Sequence, residues 1–138
     1  MDGLVFACIA PHGGLLIPLV SGPDGDKALA SRAAMDELGR RIAFIASLDL
    51  AHRHRADGPF GFDPAAAECD AAVLDAVRAN ALDRLLAYDT TWADRGLTEA
   101  VEPLLALHGV LEGTDVRAEV LSYEVPTYYG MMCAAYGR

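Results

Sequence analysis

Ile42-Ala43-Phe44-Ile45-Ala46-Ser47-Leu48-Asp49-Leu50-Ala51-His52 is an apolar run that gives way to a serine, a carboxylate and an imidazole. Unbroken apolar residues through Ile42 to Ser47 are the pattern of a strand covered on both faces. Asp49 and His52 then fall just past the strand's end, where α/β folds place their chemistry. A second run of the same kind, Leu4 to Ala10, is stopped by Pro11 and the Gly13-Gly14 pair, so His12 lies in a loop at that strand's C-terminal edge. Between the two runs, Ser21 to Gly25 forms a turn, and Asp26 can cap a helix reaching about Arg41, with Ala28, Met35, Leu38 and Ile42 on one side. That helix meets the Ile42 strand without the short turn such connections normally carry.

Downstream, Asp57 to Pro64 is dense in turn residues. Asp63 suits an N-cap and Pro64 a first helical position, for a helix to about Ala79 with Ala66, Cys69, Val73 and Val77 as its core stripe. A shorter helix capped by Asn80 carries Leu82, Leu85 and Leu86, and another spans Glu99 to Leu107, with Pro103 a possible fresh start. Ala118 to Tyr123 and Tyr129 to Tyr136 return to strand patterns. The order implies one α/β domain over residues 1–138, a small mixed sheet flanked by helices.

With 138 residues, 53% apolar and 22% charged, the chain has enough apolar surface for a real core. A formal charge of −9 argues against nucleic acid or an anionic membrane as partner, since both reward a basic surface. Arg53, His54 and Arg55 run locally against that trend. No secretory leader or bilayer-length apolar stretch is visible. Cys8, Cys69 and Cys133 show no C-x-x-C spacing. A cytoplasmic protein with reduced cysteines is therefore expected.

Four residues carry candidate chemistry. His12 is either a ligand or a loop histidine bonded to its neighbours. Asp49, three residues before His52, can orient the imidazole and raise its basicity, or can cap the following turn while His52 is simply solvated. His54 and Arg55 read as surface residues. Glu124, beside Tyr123, Tyr128 and Tyr129, needs a partner if buried: a metal, Arg117 or a backbone N–H would serve. His108 fits the C-terminal turn of a leucine-rich helix. Two imidazoles and one carboxylate on strand-end loops are compatible with a non-haem iron(II) facial triad.

Phe6 to Ile17 (F-A-C-I-A-P-H-G-G-L-L-I), Ser47 to Arg53 (S-L-D-L-A-H-R) with Pro59 to Pro64 (P-F-G-F-D-P), and Leu121 to Met131 (L-S-Y-E-V-P-T-Y-Y-G-M) together resemble the class III extradiol ring-cleavage dioxygenases. This LigB-like superfamily also contains the Memo-like proteins. The resemblance implies Fe(II)- and O2-dependent opening of catechol-like rings. It maps metal ligands onto His12 and Glu124 and the proton-shuttling acid/base onto His52, which by the spacing above Asp49 would orient. The second ligand histidine of that family, in a T-P-H type turn, has no counterpart, because no histidine stands between His12 and His52. The Arg40 to Phe44 junction is where the family's middle segment is missing, which makes this a shortened domain. Iron held by one imidazole and one carboxylate would be bound weakly, unless His52 or His54 replaced the absent ligand. Sheet edges exposed by the loss would favour a homo-oligomer. The implied partners are a small aromatic substrate and O2. The alternative is a non-catalytic Memo-like binding protein or a degenerate fragment.

Overall fold

The computed structural model describes residues 5–9, 17–20, 37 and 43–137. His12 and most of the expected helix from Asp26 to Arg41 lie outside the described residues; within that span Glu37 is helical and exposed. The class is α/β, and the chain divides into two compact units, Met1–Leu48 with Glu102–Thr114, and Asp49–Val101 with Asp115–Arg138.

The first unit holds a three-stranded antiparallel sheet of order β2-β1-β3, from β1 (Val5–Ile9), β2 (Ile17–Val20) and β3 (Ala43–Ile45). The two apolar runs pair directly, with Cys8 opposite Phe44. β2 was not foreseen; among the described residues it pairs only with β1, and such an edge position tolerates Pro18, which has no N–H to donate.

In the second unit, α1 (Ala65–Arg78) is the organising helix. The assignment begins after Pro64, but Asp63 caps it chemically: its carboxylate accepts from the Ala65 N–H at 2.9 Å, and Pro64 already has helical dihedrals. Ala66, Cys69, Val73 and Val77 form the buried stripe as expected, and Asp70 is buried within it. Burying side chains such as Val73, Leu74 and Val77 stabilises the unit by about 1.5–3 kcal/mol each.

Asn80 does not cap the next helix; it ends this one. It sits in the left-handed region at φ 53°, with its N–H on the Val77 carbonyl and that of Ala81 on the Ala76 carbonyl. This is a Schellman stop, a role asparagine fills after glycine. A 3-10 helix follows (Leu82–Ala87), burying Leu82 and Leu85 and exposing Leu86.

Next comes α2 (Thr90–Gly96), which the pattern did not reveal. Asp89 caps it by accepting from both the Thr91 N–H and hydroxyl, at 2.9 and 2.7 Å. α2 packs on α1 closely enough that a Cβ at Gly96 would lie 2.6 Å from Cys69 Sγ. Glycine is therefore needed one residue before the position where a helix usually places it. Leu97 takes the left-handed stop instead, at φ 54°, with the Leu97 and Thr98 N–H groups on the Asp94 and Ala93 carbonyls.

α3 (Val101–Leu111), which belongs to the first unit from Glu102 on, keeps Pro103 in its first turn, where no intrahelical N–H is lost. His108 falls in its last turn, as expected. Back in the second unit, β4 (Arg117–Glu124) and β5 (Met131–Gly137) form an antiparallel pair. The register slips between Val120 and Ser122, and there the alternation of exposed and half-buried residues also breaks, because Leu121 is the extra residue of a bulge.

Candidate functional site

The segment Asp49 to Arg55 is fixed by backbone and side-chain bonds on each side of His52. Leu50 and Ala51 are fully buried. The Ala51 N–H donates to Asp70 Oδ1 at 2.9 Å, and the Ala51 carbonyl accepts from Gly130 N–H at 3.1 Å. The His52 N–H reaches the Gly96 carbonyl at 3.0 Å, and the His54 N–H reaches the Tyr128 carbonyl at 3.1 Å. His52 is thus carried on a rail clamped to α1, to the end of α2 and to the β4–β5 loop.

His52 Nδ1 lies 2.8 Å from the Leu97 carbonyl oxygen. A carbonyl can only accept, so Nδ1 carries the hydrogen, and in the neutral ring Nε2 keeps its lone pair. The left-handed stop at Leu97 therefore orients this imidazole. Asp49 Oδ2 stands 3.6 Å from Nε2, beyond hydrogen-bond length but within ion-pair range once the ring is protonated, and its side chain is 60% exposed.

Three aromatic rings surround His52. Phe60 meets it edge-on at 5.8 Å between centroids, Tyr129 tilted at 5.7 Å and Tyr128 tilted at 6.1 Å. Tyr128 also contacts Phe60 at 5.8 Å and Tyr129 at 5.1 Å, so the rings form one cluster. Gly58 brings the two aromatic loops together: a Cβ there would come within 2.6 Å of Tyr128 Cβ. Phe60 remains 45% exposed. Tyr128 and Tyr129, expected beside Glu124, thus pack on His52 instead.

Glu124 closes β4 opposite Met131 and is exposed, so burial does not oblige it to find a partner. Arg117, considered as that partner, lies at the far end of the same strand. His54 is a correction. Rather than a surface residue, its side chain is 10% exposed, with Nε2 2.8 Å from Asp70 Oδ2.

Asp70 was missed altogether. At 1% exposure, it accepts from Ala51 N–H, His54 Nε2 and the Tyr123 hydroxyl, the last at 2.8 Å. Burial, followed by the hydrogen bond to Asp70, pushes the Tyr123 phenol well above its ordinary pKa, so it stays a donor. Gly130 is obligatory beside this carboxylate, since a Cβ would overlap Asp70 Oδ2. One signal was available: Asp70 lies four residues after Ala66 and three before Val73, on the core stripe itself.

Among the described residues, no group of three or more His, Cys, Asp or Glu side chains gathers to hold a metal ion. Of the two metal ligands the resemblance implies, those residues include only Glu124. Among the described residues also, no helix is long and apolar enough to cross a membrane.

A model of the family described as the catalytic LigB subunit of aromatic ring-opening dioxygenase matches residues 28–134. The chain is also similar to Protein CA_C1420 of Clostridium acetobutylicum, at 34% identity over 91 residues. The match covers 66% of this chain but only 19% of the relative's length.

Proposed function

Because the chain belongs to the family of the catalytic LigB subunit of aromatic ring-opening dioxygenase, we propose that it takes part in Fe(II)- and O2-dependent opening of catechol-like rings, with His52 as its proton carrier. The observation that most supports this reading is the Nδ1–Leu97 carbonyl bond of 2.8 Å, which in the neutral ring leaves the lone pair on Nε2, among aromatic side chains. A hydroxyl of the substrate would give its proton to Nε2, forming a phenolate and an imidazolium. Asp49, 3.6 Å away, would stabilise that imidazolium until the proton is returned. A group so placed contributes about a hundredfold or more to rate.

His12 and Glu124 are assigned to the metal on the strength of the family motifs. The Clostridium relative adds no activity to this reading, since most of its length has no counterpart in the match. The test is metal analysis of anaerobically purified protein, then oxygen uptake with a panel of catechols. Stoichiometric iron lost in His12→Ala, and uptake lost in His52→Ala with iron retained, are the expected results. Failure to take up Fe(II) after anaerobic reconstitution would overturn the proposal in favour of a non-catalytic binding protein.

A further inference from the structure

From the bonds that meet at one side chain we infer that Arg53 is a positioning residue, whose guanidinium holds the Phe60 ring against the His52 imidazole and screens that imidazole from water. The inference rests on the reading of His52 as the proton carrier. Phe60 is weakly fixed by its own loop. Gly58 precedes it by two residues, and Gly61 follows it at φ 71°. Within the loop, the Gly61 N–H reaches the Gly58 carbonyl and the Gly58 N–H reaches the Arg55 carbonyl, each at 3.2 Å.

Arg53 supplies the fixed point from outside that loop. Its Nε donates to the Phe60 carbonyl at 3.0 Å, and an NH group of the same plane donates to the Arg95 carbonyl at 3.3 Å. The Arg53 carbonyl in turn receives the Asp63 N–H at 2.9 Å, and Asp63 is joined to the Arg95 side chain at 2.8 Å. The planar guanidinium fixes the directions of both donors, which an ammonium on a flexible stem cannot reproduce. The turn that carries the Arg95 carbonyl also carries the Gly96 and Leu97 carbonyls, which hold the His52 N–H and Nδ1. Arg53 therefore ties Phe60 to the same turn that orients the imidazole. Phe60 then meets His52 edge-on at 5.8 Å and Tyr128 at 5.8 Å. The His52 side chain is left 15% exposed, while Phe60 takes the exposed place beside it. A base screened in this way is kept from losing its proton to solvent.

The test compares Arg53→Lys and Arg53→Gln with Arg55→Gln, which removes the neighbouring guanidinium paired with Asp57. In NMR spectra of the whole chain, NOEs between the Phe60 and His52 rings should disappear in both Arg53 variants and persist in Arg55→Gln. Carbethoxylation by diethyl pyrocarbonate, read residue by residue by tandem mass spectrometry, gives the access to His52. Its rate should rise about fivefold in the Arg53 variants, the scale of one net hydrogen bond released. The rate at His54 should stay unchanged. NOEs retained in either Arg53 variant, an unaltered His52 rate, or the same changes in Arg55→Gln would overturn the inference. These readouts need neither iron nor turnover. If they come out as expected and the wild type draws no oxygen uptake, the dioxygenase reading fails and the positioning role stands. Retained NOEs in a protein that does take up oxygen sink the positioning role alone.

Discussion

Removing the Asp70 carboxylate should cost most of the stability that a single side chain can carry here. Asp70→Ala strands three donors. The Ala51 N–H is fully buried and cannot reach water, which costs about 1–3 kcal/mol for an unsatisfied group. His54, nearly buried, loses a bond of 2.8 Å and costs about 1–2 kcal/mol. The half-buried Tyr123 hydroxyl can turn toward solvent, so it adds little. The sum is about 2–5 kcal/mol, against a total of about 5–15 kcal/mol for an ordinary domain. Asp70→Asn should be much milder. Its carbonyl oxygen can still receive the Ala51 N–H, while its amide faces His54, whose neutral ring can accept at Nε2 by moving its hydrogen to Nδ1. A cost of about 1–2 kcal/mol is expected. Urea unfolding followed by far-UV circular dichroism measures both variants. An Asp70→Ala loss below about 1 kcal/mol, or an Asp70→Asn loss equal to it, would refute the account of a buried carboxylate satisfying three donors.

Gly96→Ala should destabilise by about 1–3 kcal/mol through overpacking against Cys69 Sγ. Adding Cys69→Ala should recover part of that loss, because the remaining contacts at 3.4 Å are ordinary ones; urea midpoints of the single and double variants decide. Leu97→Gly should stabilise by up to about 1 kcal/mol, since glycine adopts φ 54° without a Cβ penalty. Loss of stability in that variant would remove the reasoning. Among the described residues the buried Tyr136 hydroxyl has no hydrogen-bond partner, and burial pushes its pKa up to about 12. A raised folded pKa means its contribution is complete below the unfolded value, about 10, and is lost as pH climbs toward 12. Tyr136→Phe should therefore flatten stability between pH 10 and 12 and be neutral or slightly stabilising at pH 7; unfolding at both pH values is the check.

How much was legible depended on whether a signal was local. α1 was readable at both ends of the argument, from the Asp63-Pro64 start to the Val73–Val77 stripe, because capping and helical period act within a few residues. Asn80 was misassigned because asparagine serves equally as an N-cap and as a left-handed stop, and only the backbone around it chooses. α2 escaped notice because seven residues ending in glycine carry too little period to register.

The helix Ala65–Arg78, the strands β4 and β5 and the family motifs follow from neighbours in the chain and were legible along it. What His52 can do was decided by tertiary structure. Its tautomer is set by a carbonyl 45 residues away, and the carboxylate bracing its segment collects donors from 16, 19 and 53 residues away. Hydrogen bonds have direction and reach only about 3 Å, so no pattern along the chain can say which atoms will meet.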